Sequence, residues 1–148
     1  MSRLLFVYGT LRRDSPNSRH GMLAGAARFV GHARVHGRLY EIGGYPGLIH
    51  ATDPDDWVHG EVYELAGPHE ILTRLDEYEG CGPRDPEPHE YRRERAEVWM
   101  ATGAREEAWV YRYLGSIVGK REIESGDYCG SGEREEGRTR VSAAREKR

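Results

Sequence analysis

"EYRRERAEVWMATGAREEAWVYRYL" runs from Glu90 to Leu114. It reads as two strands, Glu90–Met100 and Arg105–Leu114, joined by a short "ATG" connection of the hairpin kind. Other strand signals lie upstream. "LLFVY" (Leu4–Tyr8) is a continuous apolar run, as in a strand buried on both faces. "ARFVGHARVHGRLYEI" (Ala27–Ile42) reads as one long strand, bent or bulged at Gly31 and Gly37. "YPGLIHA" (Tyr45–Ala51) turns into a short strand, and "WVHGEVYEL" (Trp57–Leu65) makes another. One segment is clearly helical: "GPHEILTRLDEYEG" (Gly67–Gly80). Pro68 suits its first position, Glu70 its first turn and Gly80 its stop. Strands that mostly follow one another, with a helix between two of them, imply a mainly antiparallel, barrel-like sheet of the α+β class. A doubly wound fold is excluded by the same order.

The 148 residues fit one domain. A net charge of −3 argues against a nucleic-acid partner. Cys81 and Cys129 are too few for a disulfide framework, and no apolar run reaches membrane-spanning length. "LLFV" is far shorter than the apolar core of a signal peptide. The expected setting is therefore cytoplasmic, with no membrane partner. Apolar signal fades after about Gly119. The expected domain is residues 1–119, with residues 120–148 a polar, flexible tail.

Helical phase singles out one carboxylate. At about 100° per residue, Ile71, Leu72, Leu75 and Tyr78 fall on one arc, and Glu79 falls inside it. Glu70, Arg74 and Glu77 fall outside, and Asp76 sits at the edge. Desolvation and the negative end of the helix dipole both favour the protonated form of Glu79. Such a group suits proton transfer near neutral pH. The other reading is a glutamate that reaches solvent past the helix end or pairs with an arginine.

The first strand ends at Tyr8-Gly9-Thr10-Leu11. A strand that curls after Gly-Thr turns successive backbone N–H groups inward, and these can hold a carboxylate or a developing oxyanion. Gly9, lacking a Cβ, permits close approach to a ligand. The plainer reading is a turn with Leu11 packed in the core.

Six short motifs occur in order: "FVYGTLR", "YPGL", "GEVYEL", "LDEYEG", "YRR" and "AWVYRY". Together they resemble the γ-glutamylcyclotransferase-like (AIG2-like) family, in the look of its γ-glutamylamine cyclotransferase branch. The resemblance covers about residues 3–115. It implies a small β-barrel flanked by short α-helices, with a cavity at the barrel mouth. It implies substrate binding by Tyr8, Gly9, Thr10 and Leu11, and Glu79 as catalytic glutamate. Tyr91 and Arg93 match its Tyr-x-Arg, and Tyr111 matches an aromatic position facing the cavity. The implied reaction is cyclisation of a γ-glutamyl amine or peptide to 5-oxoproline with release of the amine. Its nucleophile is tethered, so neither metal nor cofactor is needed. The alternative is a non-catalytic binding barrel of the same fold. The segment Cys81–Glu90 is longer than the family's usual connection, and the tail has no clear counterpart there.

Other candidates carry less. Cys81 lies close to Glu79, but no histidine stands at a catalytic spacing to it. His32 and His36 share a strand face without a third ligand spaced to join them. Trp57, Trp99 and Trp109 read as core and rim packing, and Asp53, Asp55 and Asp56 as a solvated turn.

Overall fold

A computed structural model describes residues 3–9, 27–82 and 85–128. Its elements in chain order are β1 (Leu4–Val7), β2 (Ala27–His36), β3 (Arg38–Glu41), β4 (Pro46–Ile49), β5 (Trp57–Leu65), α1 (Pro68–Glu79), β6 (Tyr91–Met100), β7 (Arg105–Tyr113) and β8 (Arg121–Glu122). Five strands close a barrel in the order β1-β5-β2-β6-β7, and β4-β3-β8 form a second, three-stranded sheet. Thr10 and Leu11 lie outside the described residues, as does the tail from Cys129.

Every barrel pairing is antiparallel except the closing one, where β1 runs parallel to β7 with Leu5 opposite Trp109. The expected hairpin is β6–β7, in register from Tyr91↔Tyr113 to Trp99↔Arg105. Met100 N–H donates to the Ala104 carbonyl at 2.8 Å to tie its turn.

The long strand expected over Ala27–Ile42 is two strands. Its register shifts between Phe29 and Gly31, as a bulge would make it. At Gly37 the chain leaves the barrel, its N–H donating to the Asp56 carbonyl at 3.1 Å, and β3 continues in the second sheet.

Strand alternation sorts side chains onto two sides of the barrel wall. Phe6, Val58, Val62, Val98, Val110 and Ala108 share one core, together with Tyr8, Leu39 and Leu48. Leu5, Val7, Tyr63, Leu65, Tyr91 and Tyr111 share the other, with Ile71, Leu72 and Leu75 of α1 laid on top. The helix therefore covers the outer face of the wall, and the first core fills the barrel.

The domain does not stop at residue 119. β8 pairs with β3, and Ile123 N–H donates to the Leu39 carbonyl at 2.7 Å. Ile123 and Tyr128 are buried in the barrel core. The Gly126 carbonyl accepts from His59 N–H at 2.7 Å, and Gly126 itself has a φ of 72°. A Cβ there would also drive into the Trp57 carbonyl. The sequence expectation missed this segment because its two apolar anchors are spaced by Glu, Ser, Gly and Asp. Burial here is set by distant strands.

Candidate active site

α1 matches the sequence reading of it. Gly67 is the N-cap, Pro68 opens the first turn, and Gly80 takes the left-handed conformation (φ 77°) that ends the helix. Gly80 N–H bonds the Glu77 carbonyl, and Cys81 N–H reaches back to the Asp76 carbonyl at 2.9 Å. This double closure brings the chain after the helix back beside Asp76. Ile71, Leu72, Leu75 and Glu79 are the helix's buried residues, while Glu70, Arg74 and Glu77 are exposed. Glu79 is only 2% exposed.

The aromatic residues singled out in the sequence divide between two tasks. Tyr8 and Gly9, both buried, directly follow β1. Tyr8 Oη donates to the Tyr111 carbonyl at 2.6 Å and accepts from Leu48 N–H at 3.2 Å. Tyr91 Oη donates to the Pro46 carbonyl at 2.7 Å. Tyr8 and Tyr91 thus clamp the "YPGL" strand β4 against the barrel, and their hydroxyls serve the wall.

Tyr111 turns the other way, toward α1. Its hydroxyl donates to Asp76 Oδ1 at 2.6 Å. Arg93, directly across the β6–β7 ladder from Tyr111, grips the same carboxylate with two bonds, Nε–Oδ1 at 2.8 Å and Nη2–Oδ2 at 3.0 Å. The Arg93 guanidinium also lies over the Trp109 ring, 4.4 Å from its centroid. Asp76 is thereby the hub of the site. The sequence reading left it at the edge of the apolar arc. The signal that finds it is its pairing with Arg93, which only the fold brings near.

The electrostatics follow from burial and two neighbouring carboxylates. Burial pushes the Tyr111 phenol well up, and its bond to Asp76 and the charges of Asp76 and Glu79 push the same way. The Cys81 thiol is pushed up to about 12, first by burial, then by the charges of Asp76 and Glu79. Burial works against the Arg93 charge, but Asp76 outweighs it, and Arg93 is held more firmly protonated than usual. Tyr111 and Cys81 therefore both feel Asp76 and Glu79, so the two carboxylates share one neighbourhood. A protonated thiol is a poor nucleophile, which sets Cys81 aside as one. Among the described residues, no group of three or more His, Cys, Asp or Glu is arranged to hold a metal ion. No helix among them is long and apolar enough to cross a membrane.

Residues 5–130 match the family described as "Gamma-glutamyl cyclotransferase, AIG2-like". The chain belongs to this family. A Vibrio cholerae protein provisionally named a gamma-glutamylcyclotransferase is 36% identical over 132 residues, 87% of this chain and 97% of its own. Human gamma-glutamylaminecyclotransferase is 38% identical over 86 residues, 53% of this chain and 54% of its own. The solved structure of an AIG2-like protein from Mus musculus superposes with a TM-score of 0.62 at 30% identity, covering 76% of this chain and 77% of that one. The family match extends past the docked β8 segment, in accord with burial of Ile123 and Tyr128. Among the expected residues, Tyr111 and Arg93 meet Asp76 where α1 lies over β6 and β7, with Glu79 close enough to act on Tyr111, while the Tyr91 hydroxyl is bonded to Pro46 on β4. Tyr8 and Gly9 follow β1, which pairs with β7.

Proposed function

We propose that this protein cyclises the γ-glutamyl group of a γ-glutamyl amine or peptide to 5-oxoproline, with Glu79 moving the proton. The observation that carries the reading is the carboxylate of Glu79, 2% exposed at the last turn of α1. Burying a carboxylate costs several kcal/mol unless its surroundings compensate, so its retention there calls for a role. Glu79 takes a proton from the substrate's α-ammonium. The free amine attacks the side-chain amide carbonyl, a C–N bond forms and the ring closes. Ring closure frees a second proton from the attacking nitrogen; Glu79 passes both protons in turn to the leaving nitrogen, its bond to the carbonyl carbon breaks, and the amine departs as an ammonium ion. Protons and bonds balance without water. Proximity supplies much of the rate, because nucleophile and carbonyl belong to one substrate. Backbone N–H groups after Tyr8, from Gly9 through Thr10 and Leu11, hold the substrate and steady the oxyanion. Tyr91 and Tyr111 support the pocket.

The test is release of 5-oxoproline from a panel of γ-glutamyl amines and dipeptides. Glu79→Gln should lower kcat/KM by about 10²–10⁴-fold while folding survives. Glu77→Gln, on the exposed face, should change little. Near-full activity in Glu79→Gln would reject the assignment.

A further inference from the structure

We propose that Arg112 is a carboxylate-binding residue, its guanidinium receiving a carboxylate of the γ-glutamyl substrate at the end of the barrel where β1 gives way to Gly9. This deepens the proposed function and rests on it for the identity of the ligand. On β7, Ala108 and Val110 belong to the core that fills the barrel. Strand alternation puts Arg112 on the same inner face, where it is 8% exposed. Its Nε donates to Glu94 Oε1 at 2.9 Å. Its Nη1 is buried and has no acceptor among the described residues. A buried donor of a charged group left without an acceptor is destabilising, and native structures seldom keep one without a reason. A ligand oxygen supplies the missing partner. With Nε taken by Glu94, the end of the planar guanidinium remains to meet a second carboxylate.

The groups around this donor leave positive charge over. Arg92 holds the other Glu94 oxygen through Nε at 3.0 Å and Nη2 at 2.7 Å. Two guanidiniums therefore divide one carboxylate. Side-chain exposure rises from 10% at Arg112 through 21% at Glu94 to 61% at Arg92, so the group runs from the buried donor out to solvent. β1 brings the proposed substrate loop to the same level. It runs parallel to β7 with Leu5 opposite Trp109, which sets Tyr8 beside Arg112 three residues on. The Tyr8 hydroxyl agrees with this: it donates at 2.6 Å to the Tyr111 carbonyl, which belongs to the peptide that carries the Arg112 N–H. Gly9 follows Tyr8. Tyr111 faces Asp76 on α1, and Arg112 faces the barrel interior, so consecutive residues of β7 serve the two sides of its wall.

Every γ-glutamyl substrate carries the α-carboxylate of its glutamyl group, and a dipeptide adds the carboxylate of its leaving amino acid. The experiment compares Arg112→Gln with the parent protein on two probes. γ-Glutamylalanine carries both carboxylates, and γ-glutamylethylamine carries the α-carboxylate alone. KM and kcat are read from 5-oxoproline release, and affinity from calorimetric titration in a Glu79→Gln background. Arg112→Gln should weaken binding and raise KM by about 10–100-fold, with kcat changed far less. A loss with both probes assigns Arg112 to the α-carboxylate, and a loss with γ-glutamylalanine alone assigns it to the leaving amino acid. Arg112→Lys keeps the charge and should recover part of the affinity. Arg95→Gln removes an exposed cation from the other face of β6 and should leave both probes unaffected. Unchanged affinity for both probes in Arg112→Gln, or an equal loss in Arg95→Gln, would overturn the proposal. If Arg112→Gln does not fold, the guanidinium NMR signals of the wild-type residue decide, assigned by their loss in Arg112→Lys. Added γ-glutamylalanine should shift them, and signals that stay put would overturn the proposal. Protein that binds the probes through Arg112 yet forms no 5-oxoproline would reject the reaction and leave the carboxylate site standing. Active protein indifferent to Arg112→Gln would reject the site and leave the reaction.

Discussion

Single residues in this site are read by what they touch. Tyr8, Tyr91 and Tyr111 look alike in the sequence, yet two of them brace β4 and one bonds the Asp76–Arg93 fork. Cys81 looks like a candidate nucleophile until its surroundings are counted. Its thiol, lifted to about 12 by burial and by two carboxylates, stays protonated at neutral pH. Alkylation depends on the thiolate. In a Cys129→Ser background, iodoacetamide should therefore modify Cys81 at pH 8 at least about tenfold more slowly in the folded than in the unfolded chain. Mass spectrometry of timed samples reads the rate. Equal rates would mean that the carboxylates do not act on it as described.

Elements differ in how locally they are specified. α1 carries its start, its stop and its buried face in its own residues. The β8 segment does not: Arg121 and Glu122 pair with Glu41 and Tyr40, and Ile123 and Tyr128 are covered by strands far away in sequence. Burying two such side chains contributes roughly 3–6 kcal/mol. A chain ending at Gly119 should accordingly melt about 10 °C or more below one ending at Tyr128. Differential scanning calorimetry on the two chains checks this. Equal melting temperatures would mean that the segment adds nothing to the barrel.

At the scale of the whole molecule, two groups bend the stability–pH curve at its ends. Glu94 bridges Arg92 and Arg112. Burial opposes its charge, but the two arginines outweigh that and hold its pKa below the ordinary carboxylate value. Its contribution is present above the unfolded carboxylate value and is lost as pH falls through the lower folded one. Tyr111 is the converse case, with its pKa raised in the folded state. Its contribution is full below the unfolded phenol value of about 10 and is lost as pH rises beyond it. Urea unfolding across pH should show Glu94→Gln flattening the acid limb and Tyr111→Phe flattening the alkaline one. Each variant should leave the other limb in place.

What the sequence determined by itself is whatever repeats or ends within a few residues. Apolar spacing in Gly67–Gly80 put Glu79 on the buried face, Gly80 marked the stop, and the run Glu90–Leu114 declared a hairpin. Six ordered motifs were enough to show a family resemblance. What only the tertiary structure decided depends on residues far apart in the chain. It split Ala27–Ile42 at Gly37 between two sheets, closed the barrel through the parallel β1–β7 contact, and docked residues 121–128. It also chose Asp76 as the partner of Arg93, seventeen residues away. No local period encodes such pairings. They are fixed by which surfaces meet when the barrel closes, and by the cost of leaving a buried charge without compensation.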